Sequence, residues 1–118
     1  MQTISVIAVI IVGFIHVAIA MVEMFFWSLP AIYKRLGFTA DVARQVAPIV
    51  KNAGLYNSFI AVGLFWAAFS QQTPTQVFFL VCVVIAGLYG AATLKPTTLA
   101  LQSLPATVAL VLVWLAYF

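Results

Sequence analysis

The chain has 118 residues, of which 66% are hydrophobic and 6% charged, and its five Lys/Arg against two Asp/Glu give a net charge of +3. Ordinary globular domains carry about 25% charged residues, so this composition excludes a water-soluble domain and a disordered chain and belongs with integral membrane proteins. At about 20 apolar residues per crossing, the length admits four or at most five crossings and no separate catalytic domain; the positive charge then reports membrane orientation rather than nucleic-acid binding.

The first apolar run, about residues 4–29, is long enough to span with tilt although it contains His16 and Glu23. Ala18-Ile19-Ala20 has the small-x-small form of a signal-peptidase site. No Lys or Arg precedes the run, however, and it continues to Trp27, which reads as a retained span. Residues 33–51 form the one long polar stretch, with Lys34, Arg35, Asp41, Arg44 and Lys51. Within it Thr39 is placed to N-cap a short amphipathic helix over about 39–50, whose face of Val42, Val46, Ile49 and Val50 would lie in the headgroup layer while Arg44 and Lys51 meet anionic lipid. Pro48 should bend its end toward the next span.

The second span is expected at about 52–69, the third at about 76–94 and the fourth at about 98–117, joined by an uncharged turn at 70–75 and a tight one at 95–97. The expected fold is an all-α, integral membrane four-helix bundle of one domain, 1–118, with the short interfacial helix between the first and second spans. All five cations fall in the first and third connections, so the positive-inside rule puts both termini on the non-cytoplasmic side.

Each span carries a stripe of small or polar residues, and in lipid such stripes face other helices because small residues permit close approach. The rows are Gly13, His16, Ala20, Glu23 and Trp27; Ala53, Asn57, Ala61, Leu64 and Ala68, with Asn52 and Tyr56 beside them; Cys82, Ala86, Tyr89, Gly90 and Thr93; and Thr98, Gln102, Pro105, Ala106 and Ala109. At 1.5 Å per residue, Glu23, Asn57, Tyr89 and Gln102 all come out roughly 6 to 9 Å inside the cation-rich boundary, and His16 lies near the midplane.

An acid at bilayer depth is expensive and by default marks a site. Glu23 is therefore the candidate general acid or base, or cation stabiliser, with His16 and Tyr89 assisting and Trp27, Asn52, Tyr56, Asn57, Thr93 and Gln102 lining the pocket. The structural alternative is a hydrogen bond from Glu23 to Asn57, Gln102 or Tyr89 that sets helix register. His16, seven residues from Glu23, is either one step of a relay or a neutral histidine bonded to a hydroxyl or backbone carbonyl. The one cysteine, Cys82, allows neither an internal disulfide nor a cysteine metal cage, and no phosphate-binding, nucleophile-elbow, dinucleotide or zinc motif is present, so no metal or cofactor is expected.

His16 and Glu23 in the first span, Asn52-Ala53-Gly54-Leu55-Tyr56-Asn57 opening the second, Gly87-Leu88-Tyr89-Gly90 with Thr93 in the third and Gln102-Ser103-Leu104-Pro105-Ala106 in the fourth together resemble the bacterial membrane proteins of domain of unknown function 1304. The resemblance covers essentially the whole chain. It implies a four-helix inner-membrane protein and brings no activity with it.

Three functions are expected to be separable. The first is an intramembrane polar pocket for a small lipophilic molecule, with acid/base isomerisation or cyclisation of an isoprenoid-like substrate as the chemistry an acid and aromatics in a dry site would support. The second is a proton-coupled transporter of lipophilic cations, against which the five-to-none charge split argues, because small exporters that pair oppositely oriented subunits tolerate little bias. The third is a non-catalytic membrane subunit. Membrane lipid and a small lipophilic molecule are the expected partners, and the sequence leaves a homo-oligomer open.

Overall fold

A computed structural model describes residues 1–118. The chain is all-helical, in the order α1 (Gln2–Phe25), the short α2 (Pro30–Tyr33), a 3-10 turn (Lys34–Leu36), α3 (Ala40–Phe69), α4 (Thr73–Thr93), a π-helical turn (Leu99–Ser103) and α5 (Leu104–Tyr117). The apolar composition leaves backbone hydrogen bonding to be satisfied within each segment, which a helix does. Local punctuation sets the ends. Pro30 and Pro74 sit in the first turns of α2 and α4, where a missing N–H costs nothing. The Thr39 hydroxyl accepts from the Val42 N–H and caps α3. Gly37, at φ 80°, ends the 3-10 turn in the left-handed region, and Gln71, at φ 56°, does the same in the turn between α3 and α4.

Consecutive long helices run antiparallel. Gly13 faces Phe65 and Gly54 faces Glu23 across α1 and α3; Gly63 faces Phe79 across α3 and α4; Gly87 faces Ser103 across α4 and the π turn. α1 packs on α3 and α5, and α4 packs on α3, α5 and the π turn. Val9, Val12, Leu64, Leu80, Val83, Ala106, Ala109 and Val113 fill the core between them. All five cations, Lys34, Arg35, Arg44, Lys51 and Lys95, consequently lie toward one end, where the Lys95 ammonium donates to the Arg35 carbonyl and ties the α4–α5 connection to the 3-10 turn.

Three helices are long and apolar enough to cross a membrane: Gln2–Phe25, Thr73–Thr93 and Leu99–Tyr117. α3 is not among them, since Asn52, Tyr56, Asn57 and Ser58 dilute its apolar stretch.

Three sequence expectations change here. The stretch 39–50 is not a separate interfacial helix: it is the first part of one 30-residue α3 that runs unbroken through Pro48 into the expected second span. The absent Pro48 N–H removes one intrahelical bond, but the flanking turns propagate the helix. The expected amphipathic face is only partly covered: Val46 and Val50 pack with Trp27, Tyr33 and Ala43, while Val42 and Ile49 stay exposed. The first helix ends at Phe25 rather than near residue 29, leaving Trp27 in the following turn.

The fourth helix begins as a π turn, in which the Leu104 N–H donates to the Leu99 carbonyl. Pro105 has no N–H to continue the ladder, and a wider turn accommodates its ring. The same segment is pinned to α4 by side chains, Thr98 Oγ1 donating to the Gly87 carbonyl at 2.8 Å and Ser103 Oγ to the Val84 carbonyl at 3.0 Å. Gly87 is required there: a Cβ would lie 2.8 Å from the Ser103 backbone nitrogen.

Candidate functional site

Glu23 lies in the last turns of α1, across from the middle of α3. Asn57 Nδ2 donates to Glu23 Oε1 at 2.6 Å, with both side chains half-buried. The approach is made by small residues: an added Cβ on Gly54 would stand 2.7 Å from Met24 Cγ, 2.9 Å from Glu23 Cβ and 3.2 Å from the Ala20 carbonyl. Without that close seam, a short amide and a carboxyl on neighbouring helices would not meet. The amide engages one carboxyl oxygen and leaves Oε2 free of the chain's own donors.

His16 is buried, at 1% exposure, and its Nδ1 lies 2.9 Å from the Val12 carbonyl. A carbonyl only accepts, so Nδ1 carries a proton. Two turns, roughly 10 Å along the axis, separate His16 from Glu23, and no hydrogen bond joins them.

The remaining expected site residues are dispersed. Tyr89 stands on the outward side of α4 at 71% exposure, and Thr93 beside it is exposed and donates to the Tyr89 carbonyl at 2.8 Å. The buried row of α4 is Gln76, Leu80, Val83 and Gly87, about a quarter turn from the expected one. Tyr56, 63% exposed, makes an edge contact with Phe59 at 5.9 Å, and Asn52 is exposed. Gln102 is half-buried in the π turn, with its Cβ over Gly87. Trp27 is buried at the end of α1, but its indole N–H donates to the Ala43 carbonyl at 2.9 Å and its ring meets Phe38 edge-on, so it closes the end of the molecule rather than facing Glu23.

Two half-open depressions lie near these residues. One is an apolar groove of about 200 Å³ between α1 and α3, walled by Ala20, Met21, Met24, Ser58, Ala61 and Phe65 among others. Glu23 and Asn57 each adjoin a groove residue in sequence, Met24 and Ser58, and lie across the Ala20–Gly54 seam from it. The second cavity is at the cation-rich end and contains Trp27 and Arg44. No three His, Cys, Asp or Glu side chains cluster as a metal site would require.

The groove is not legible in the sequence, because Met21 and Met24 carry no polar signal that sets them apart from the rest of an apolar span. Nor is the place of Gln76, fully buried with its Nε2 donating to the Ala67 carbonyl at 3.1 Å and its Oε1 unpartnered. A glutamine three residues after a helix-starting threonine reads as an end-of-span polar residue; only the α3–α4 packing encloses it.

No curated protein and no solved structure matches this chain. A family model described as Protein of unknown function (DUF1304) matches residues 10–114, and the chain belongs to that family.

Proposed function

We propose that this is a multi-pass membrane protein whose four long helices form a transmembrane bundle and whose α1–α3 seam binds a small lipophilic molecule. Residues 52–69 of α3 are taken as the fourth crossing, and the cation-rich end as the cytoplasmic face of a bacterial inner membrane, with both termini outside. The observation that carries the reading is the Glu23–Asn57 hydrogen bond beside an apolar groove of about 200 Å³. The groove suits a hydrocarbon body, with its Met21 and Met24 side chains able to adapt to irregular shapes. Glu23 is not in the groove wall, so its free Oε2 would be engaged by a polar end of the ligand that reaches past Met24, and an acid so placed is able to exchange a proton with it. Tyr89 and Thr93 have no part in this reading.

The test is native mass spectrometry of the protein released from detergent. The wild type should carry a copurifying lipophilic small molecule. Val62→Trp, which fills the groove from its exposed rim, should lose it, and Glu23→Gln should lower its occupancy. Retention of the same molecule by both variants overturns the reading. Proton-driven uptake of a cationic dye into proteoliposomes, abolished by Glu23→Gln, would replace it with transport.

A further inference from the structure

The second cavity lies beyond the end of α1, between the turn that follows it and the first turns of α3. It has a volume of about 250 Å³ and is lined by Trp27, Ser28, Tyr33, Ala43, Arg44 and Ala47. Its walls are held in place. The Trp27 indole is bonded to the Ala43 carbonyl and braced by Phe38, and Tyr33 is buried in the same cluster. Alanines at 43 and 47 keep the α3 wall low and the space open. The polar groups at its mouth are the Ser28 hydroxyl and the exposed Arg44 guanidinium.

The charge around it is one-sided. Lys34, Arg35, Arg44, Lys51 and Lys95 are at this end, against the single acid Asp41, whose Oδ1 lies 2.5 Å from Arg44 Nη2. That pair is exposed on both sides and three residues apart on one helix, a geometry that holds an arginine weakly and yields it to a better acceptor. A guanidinium presents a planar fork of donors that matches phosphate oxygens.

We propose that this cavity is a headgroup site for an anionic glycerophospholipid, the phosphate held by Arg44 and Ser28 and the glycerol resting on Trp27 and Tyr33. The surrounding cations raise the local concentration of anionic lipid and disfavour a zwitterionic headgroup that carries its own cation. The proposal shares with the groove reading only the placement in a membrane, and the groove variants leave this cavity intact.

The experiment is native mass spectrometry after equilibration with equal amounts of phosphatidylglycerol and phosphatidylcholine. The wild type should retain phosphatidylglycerol preferentially, and Arg44→Gln should cut that preference about fivefold, the effect of one basic side chain at an anionic surface. Ala40→Phe, which fills the cavity from another of its lining residues with every charge in place, should cut it as well, whereas Lys51→Gln, outside the lining, should lower it less than Arg44→Gln does. Equal retention of both lipids by the wild type overturns the proposal, as does an equal loss in Arg44→Gln and Lys51→Gln or an unchanged preference in Ala40→Phe. Displacement of bound phosphatidylglycerol by millimolar inorganic phosphate would reassign the cavity to a free anion and overturn the lipid assignment.

Discussion

Asn57 donates its amide hydrogen to the Glu23 carboxyl across 2.6 Å, joining α1 to α3 by a direct side-chain hydrogen bond. The bond depends on Gly54, one turn before Asn57, because an added Cβ there would press on Glu23 Cβ at 2.9 Å and on the Ala20 carbonyl at 3.2 Å. A donor, an acceptor and the missing side chain between them act as one unit.

Removing either partner should therefore show coupling. Glu23→Ala, Asn57→Ala and the double variant, compared by reversible unfolding in mixed micelles, should give a coupling free energy of about 1 kcal/mol, as interhelical polar pairs in membrane proteins do. Additive single effects would show that the pair contributes nothing beyond its separate side chains.

The glycines differ in what they tolerate. Gly54→Ala should destabilise by about 1–3 kcal/mol through overpacking, since the Glu23 Cβ and a backbone carbonyl cannot move aside as Met24 can. Gly37 has open space around it but sits at φ 80°, so Gly37→Ala should cost roughly 1–2 kcal/mol of backbone strain and Gly37→Asn less. Thermal melts of the three variants in one detergent check both statements.

Pro48 interrupts the hydrogen bonding of an otherwise continuous α3. Pro48→Ala restores an N–H to the helix interior and should raise stability by about 1–3 kcal/mol. An unchanged or lowered melting temperature would mean that Pro48 itself contributes to packing this part of α3.

Gln76 is held by one bond to the Ala67 carbonyl, with Oε1 buried and unpartnered. Gln76→Met preserves the shape and removes the orphan acceptor, so it should stay within about 1 kcal/mol of the wild type. Gln76→Glu puts an uncompensated charge at the same place and should cost about 3–5 kcal/mol at neutral pH. Denaturation at matched detergent concentration distinguishes the two.

Residues 2–25, 73–93 and 99–117 are legible in the sequence as membrane-length helices because no other backbone arrangement satisfies so apolar a run, and the one-ended placement of Lys34, Arg35, Arg44, Lys51 and Lys95 is legible because charge is a local property. Depth counting along each helix also sets Glu23 level with Asn57. Rotation about each helix axis is another matter. α4 is apolar all round, so its row of Cys82, Ala86, Tyr89 and Thr93 and its row of Gln76, Leu80, Val83 and Gly87 look equally suited to an interior. The second row is buried because Gly87 receives Ser103 and Gln76 reaches Ala67.

Sequence by itself thus determined the solvent this protein folds in, the segments that are helical and the end that is cationic. Tertiary structure alone decided that α3 is continuous, that Tyr89 faces outward, and that Glu23 meets Asn57 rather than Gln102. Hydrocarbon outside and side chains inside are equally apolar, so burial leaves no periodic mark on the chain. Which faces meet depends on volume complementarity between residues far apart in sequence.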